Sequence, residues 1–230
     1  VESQHVISTR KLVDSDDEQV LLEELIDRVK PPVPTEASFR GLHYLLYTSF
    51  RHPPLRRGSR FGTRAERGIW YGSRELMTCF AEVAYYRLLF LEGTSAQLGT
   101  VTVELTAFMA AIRAPAAVDL TRPPFRAFER EISSKSSYAS SQRLGADMRA
   151  AGVGGFLYLS ARAPRRGINV GLFTPSFASK RPGRSETWTC SADRTKVELS
   201  QKSLARTHLS RVRFSREQFL VLGELPSPAT

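Results

Sequence analysis

Most apolar runs in this chain are short and bounded by glycine, proline or basic turns, a pattern that long helices cannot satisfy. GIWYG (68–72), LGTVTVEL (98–105), VDL (118–120), GFLYLS (155–160) and INVGLF (168–173) read as strands, with ETWTCS and KVELS as a later pair. The aromatic run LHYLLYTSF (42–50) is expected to enter the same sheet. Two segments carry helical spacing instead: Arg74 to Phe90, and YASSQRLGADMRAAG (138–152), which Gly152 closes. SREQF near the end reads as one helical turn. Short strands mixed with two well-marked helices predict an α+β domain with a mixed or antiparallel sheet.

An N-terminal appendage (1–37) is set off from this body (38–230). SDDEQVLLEELIDRV (15–29) is an amphipathic helix capped by Ser15. Asp16, Asp17 and Glu18 suit its positive end, and Val20, Leu21, Leu25 and Ile26 form an apolar face for docking. Pro31, Pro32 and Pro34 stop the helix.

The chain carries 33 basic and 23 acidic residues, a net charge of +10, which favours polyanions or acidic partners. Seven arginines lie between Arg51 and Arg74 beside a single acid, Glu66. Arginine suits a planar, two-point grip on phosphate, although a solvated basic loop has the same composition. Arg87 interrupts the best apolar run, so no membrane span is expected. Cys79 and Cys190 show no CxxC spacing and read as reduced thiols in a cytoplasmic protein. GxGxxG after a strand, P-loop, HExxH and GxSxG patterns are missing. The scattered His5, His43, His52 and His208 have no metal-ligand spacing, so no metal is expected.

The informative block is FRHPPLRRGSRFGTRAERGIWYGSRELMTCFAEVAYYR (50–87). Arg60 follows a Gly-Ser turn, Tyr71 ends a short strand, and Glu82 lies within a helix among Cys79, Phe80, Val83 and Ala84. A carboxylate in such company needs a partner, and the upstream arginines are the obvious supply. The duller readings stay open beside this one. Tyr71 is equally a core aromatic, Glu82 a structural ion pair with Arg87 or Arg51, and Ser160 the end of a strand. His52 is equally a turn residue before two prolines. Ser140 and Gln142 fit a helix N-cap near Ser140.

This block resembles the RES family, toxins of bacterial RES–Xre toxin–antitoxin pairs. FRH (50–52), GSRF (58–61), WYG (70–72) and AEVAYYR (81–87) match its elements in order. LSAR (159–162) makes Ser160 the counterpart of the family serine, and INVGLF matches the strand after it. His52 stands where many members have tyrosine, and Phe61 where tryptophan is common. The resemblance implies a fold like the diphtheria-toxin-type ADP-ribosyltransferases, with NAD+ as substrate. In that reading Arg51 and Arg60 grip the diphosphate, and Tyr71 stacks on nicotinamide. Glu82 supports the positive charge that develops on the ribose, with His52 and Ser160 assisting placement.

The length, the appendage and His52 resemble the longer, ParT-like branch. That branch implies mono-ADP-ribosylation of a protein acceptor, phosphoribosyl pyrophosphate synthetase, with a cognate Xre-like antitoxin as partner. Degradation of NAD+ by water or phosphate is the alternative. A basic nucleic-acid-binding module is the reading from another class, although no helix-turn-helix, zinc-finger or RNP-like pattern supports it.

Overall fold

The computed structural model describes residues 1, 12–54, 58–202 and 209–227. Arg56 and Arg57 of the basic run, together with His5 and His208, lie outside them. The fold is α+β, with five α-helices and two four-stranded sheets among the described residues. The first sheet has the order β1 (Trp70–Ser73), β5 (Ile168–Leu172), β4 (Gly155–Leu159), β3 (Ala117–Asp119). Its β3–β4 pair is parallel and the others antiparallel, so it is mixed. The second sheet is antiparallel, with the order β2 (Val101–Phe108), β6 (Ser185–Ala192), β7 (Lys196–Lys202), β8 (Leu209–Ser215). β8 has no counterpart in the sequence reading. Its arginines alternate with Val212 and Phe214, so the half-buried strand pattern is present but charge-laden.

The helix α3 (Leu76–Glu92) packs against strands of both sheets, which explains why it is apolar nearly all round. It buries Phe80, Ala81, Ala84, Tyr85, Leu88 and Leu91. These meet Leu105, Trp188, Cys190, Leu199 and Phe214 of the second sheet in one core. Phe80 meets the Trp188 ring edge-on, with centroids 4.7 Å apart. Each fully buried Leu or Phe of this kind contributes about 1.5–3 kcal/mol. A second core, around Phe61, Ile69, Met148, Phe156, Tyr158 and Phe173, lies on the first sheet. Cys79 and Cys190 are both free thiols.

Two expectations are corrected. The run 42–50 does not enter a sheet: Tyr44–Arg51 is a helix, α2, whose N-cap His43 accepts from the Leu45 amide through Nδ1 (3.3 Å). Its buried residues Leu46 and Phe50 are one helical turn apart while Thr48 between them is exposed, whereas strand alternation would place all three on one face. The helix α1 (Asp16–Val29) forms with a Ser15–Glu18 capping box, as the sequence predicts. Its apolar residues are not buried as expected, however: Val20, Leu21 and Leu25 are 59%, 55% and 47% exposed, and the buried residue is Gln19.

Helix α5 (Ala139–Ala150) approaches the turn at 58–62 so closely that residue 145 must be glycine. A Cβ there would stand 2.0 Å from the Phe61 carbonyl oxygen, and neither backbone can give way cheaply. Gly145→Ala is expected to destabilise the protein by about 3 kcal/mol. Thermal or chemical denaturation checks this, and an unchanged midpoint would mean that α5 and the turn separate freely.

Candidate active site

The strand register builds one wall of the site. In the first sheet Ser73 faces Asn169, which faces Tyr158, and one pleat further along Tyr71 faces Gly171, which faces Phe156. Side chains two apart share a face, so Tyr71, Ser73, Phe156, Tyr158 and Asn169 all project from the same side. Gly171 leaves the space that the Phe156 ring fills, since a Cβ there would lie 2.2 Å from it.

Glu82 reaches this wall from α3. Its Oε1 accepts from Ser160 Oγ at 2.7 Å and from Asn169 Nδ2 at 2.7 Å. Ser160 is fully buried just beyond β4, and its Oγ also accepts from the amides of Arg162 (3.1 Å) and Ala163 (2.9 Å). With those lone pairs taken, its single hydroxyl hydrogen goes to the carboxylate. Asn169 in turn accepts from Ser73 Oγ through Oδ1 at 2.6 Å. Glu82 makes no ion pair among the described residues, so the expected arginine partner is replaced by neutral donors. Hydrogen bonds to a charged acceptor are strong enough to hold a half-buried carboxylate in this way.

Arg60 sits in the turn closed by Ser59 and Gly62, where Gly58 has φ +80° and a Cβ would meet the Gly62 carbonyl at 2.4 Å. Three contacts hold the turn. Tyr71 OH is 3.0 Å from Ser59 Oγ and accepts from the Phe61 amide (3.2 Å), and Gln142 Nε2 donates to the Ser59 carbonyl (3.0 Å). Gln142 therefore braces Arg60 from within α5. The expected cap at Ser140 is not found: the N-cap of α5 is Tyr138, without a side-chain cap bond.

Arg60 is 6% exposed, lies over the Tyr138 ring (4.7 Å) and donates from Nη1 to the Ser134 carbonyl (2.8 Å). Tyr138 OH meets Tyr86 OH at 3.1 Å, and Tyr86 stands one turn after Glu82 on α3. A second buried arginine, Arg162, lies over the Tyr85 ring (3.5 Å) and donates to the Lys135 carbonyl (3.0 Å). Its Nη1 is buried without an acceptor among the described residues. Two guanidinium groups thus hold the segment 134–138, which the Tyr138–Tyr86 contact ties to α3.

Burial pushes the Tyr71 hydroxyl up to about 12, with its bonds to Ser59 and Phe61 opposing. Burial also raises Tyr158 well above the ordinary range, and the Glu82 charge adds to it while Arg60 opposes. Both phenols stay protonated at neutral pH, so they serve as hydrogen-bonding and ring surfaces, not as bases.

The structure therefore brings Arg60, Tyr71, Glu82 and Ser160 into one neighbourhood. Arg51 and His52 stand differently. Arg51 ends α2, donates from Nε to the Pro31 carbonyl and lies 4.0 Å from Asp27. His52 is the exposed C-cap of the same helix. Arg51 is thereby engaged with α1 and the connection that follows it. Asn169 and Ser73 are contributors that the sequence reading missed. A signal for Asn169 existed: a polar residue inside an apolar strand, here 1% exposed, must find a buried partner. Among the described residues no cluster of histidine, cysteine or acidic side chains is arranged to hold a metal ion. No helix among them is long and apolar enough to cross a membrane.

Comparison with protein families matches residues 34–193 to the family model described as RES domain. No curated protein matches the chain.

Proposed function

The chain belongs to the RES-domain family, and from that premise we propose that it cleaves the nicotinamide–ribose bond of NAD+ as the toxin of a toxin–antitoxin pair. RES domains are associated with NAD+-using enzymes of such systems. The observation that carries the reading is the half-buried Glu82 carboxylate, held through one oxygen by Ser160 and Asn169, with the buried Arg60 near enough to act on the same Tyr158 hydroxyl.

In this reading the glycosidic C–N bond breaks and its electron pair leaves with neutral nicotinamide. The ribose becomes oxocarbenium-like, and the Glu82 charge stabilises it. Arg60 draws the diphosphate toward the same corner, and Tyr71 fixes the turn that presents Arg60 while its ring faces the substrate. Ser160 holds Glu82. Arg51 and His52 take part by gripping phosphate and placing the ribose or the acceptor, once Arg51 exchanges the Pro31 carbonyl for substrate. The acceptor then bonds to the anomeric carbon and loses its proton.

The acceptor in our reading is a protein, as in the branch with an N-terminal appendage, and phosphoribosyl pyrophosphate synthetase fits the role. A cognate Xre-like antitoxin is the partner, and the cytoplasm is the place of action. With NAD+ labelled in the adenylate half and bacterial lysate, label is expected on one or a few protein bands. Rapid turnover in pure buffer, without labelled protein, would assign NAD+ depletion instead. Salt-sensitive binding to random DNA with no nicotinamide release would leave only the basic-module reading.

A further inference from the structure

The two oxygens of Glu82 are not equivalent. Oε1 takes both donors, Ser160 Oγ and Asn169 Nδ2, each at 2.7 Å, while Oε2 has no hydrogen-bond partner among the described residues. The orientation of Asn169 is not free either. An amide has a donor end and an acceptor end, and the wrong one facing a carboxylate would be repulsive. Ser73 Oγ donates to Oδ1 of Asn169 at 2.6 Å, and this bond turns the NH2 end toward Glu82. The register makes the contact possible, because Ser73 and Asn169 are directly opposed on β1 and β5. Asn169 is 1% exposed, so water cannot substitute for either bond.

We propose that Ser73 and Asn169 form a directional relay that anchors Oε1 of Glu82 and presents Oε2 to the substrate ribose, which makes Asn169 a positioning residue. This rests on the NAD+-cleaving reading for its kinetic consequence, but not for its geometry. Ser73 donates to Asn169, Asn169 donates to Glu82, and every dipole in the chain points its positive end at the carboxylate. A misplacement of a catalytic group by about 1 Å costs about 10²-fold in rate. The relay thus sets kcat and leaves the grip on the rest of NAD+ alone.

Asn169→Asp is the sharpest substitution. It keeps the shape and the acceptor for Ser73, but replaces the donor facing Glu82 with a second carboxylate. The expected result is a kcat for nicotinamide release lowered about 10²-fold or more, below that of Asn169→Ala, with KM within about threefold of the wild type. Ser73→Ala is expected to lower kcat about 10-fold and Ser73→Thr to restore it, because only the hydroxyl matters. Melting temperatures accompany each measurement. If the Asn169 variants do not fold, the Ser73 pair decides alone. In protein labelled with 13C-glutamate, the Glu82 carboxyl resonance, assigned by its loss in Glu82→Gln, is expected to move in Ser73→Ala although Ser73 does not touch it. That readout does not depend on turnover. A wild-type protein that releases no nicotinamide would defeat the functional reading and leave the resonance to judge the relay. Folded Asn169→Asp with wild-type kcat, an effect confined to KM, or an unmoved resonance would overturn the relay.

Discussion

Glu82→Gln is expected to abolish growth inhibition and lower nicotinamide release by about 10³-fold, with the fold intact. The hydrogen bonds make this substitution unusually clean. With the amide oxygen in the place of Oε1, Ser160 and Asn169 keep an acceptor, so the anchoring survives. The amide nitrogen then occupies the place of Oε2, where it offers a donor and no charge to the ribose. Only the electrostatic support of the oxocarbenium-like state is removed, and about 10³-fold corresponds to about 4 kcal/mol. Rate measurements on purified protein, with a melting curve alongside, check it. A folded variant that releases nicotinamide at the wild-type rate would remove Glu82 from the chemistry.

Arg60→Lys is expected to lower kcat/KM for NAD+ about 10²-fold although the net charge is unchanged. Arginine here serves two masters: Nη1 reaches the Ser134 carbonyl, and the planar group lies over Tyr138. A lysine ammonium can replace one donor but neither the fork nor the flat stacking surface. The lost bond and stacking are also expected to cost about 1–2 kcal/mol of stability. Calorimetry with NAD+ at fixed ionic strength, with thermal unfolding, separates the two losses. Unchanged affinity together with lowered stability would make Arg60 a brace for the segment 134–138 alone. The same substitution at Arg51 is informative beside it, because Arg51 already spends a donor on Pro31. A comparable loss of affinity there would show that Arg51 leaves that carbonyl for the substrate.

Much of the architecture was legible because local patterns and tertiary demands agreed. The strands at 155–160 and 168–173 are bounded by glycines and basic turns, and they pair antiparallel as that punctuation predicts. The α1 cap at Ser15 and the closure of α5 near Gly152 are local hydrogen-bonding matters, readable from a few residues. The run at 42–50 misled because its density of aromatics suits a strand, whereas burial of Leu46 and Phe50 with Thr48 exposed between them fits a helix. The α1 face misled for the opposite reason. Its amphipathic pattern is real, but nothing in a sequence states how much of an apolar stripe its neighbours will cover.

The site divides along the same line. Glu82, Tyr71, Arg60 and Ser160 were found as residue types in a recognisable order, and that order is a property of the chain itself. What holds each of them was not. Glu82 sits far along the chain from Ser160 and Asn169, and its satisfaction by a hydroxyl and an amide, not a guanidinium, depends on which strand lies beside which. Ser73 finds Asn169 only through the register of β1 on β5, and a slip of β1 by one residue would send the Ser73 side chain to the other face, away from Asn169. Sequence alone determined the Ser15 cap of α1, most strand segments and the inventory of chemical groups, because these follow from contacts a few residues apart. Tertiary structure decided their partners, because hydrogen bonds are directional and short, and only the packed sheet and helix bring such distant donors within reach of one carboxylate oxygen.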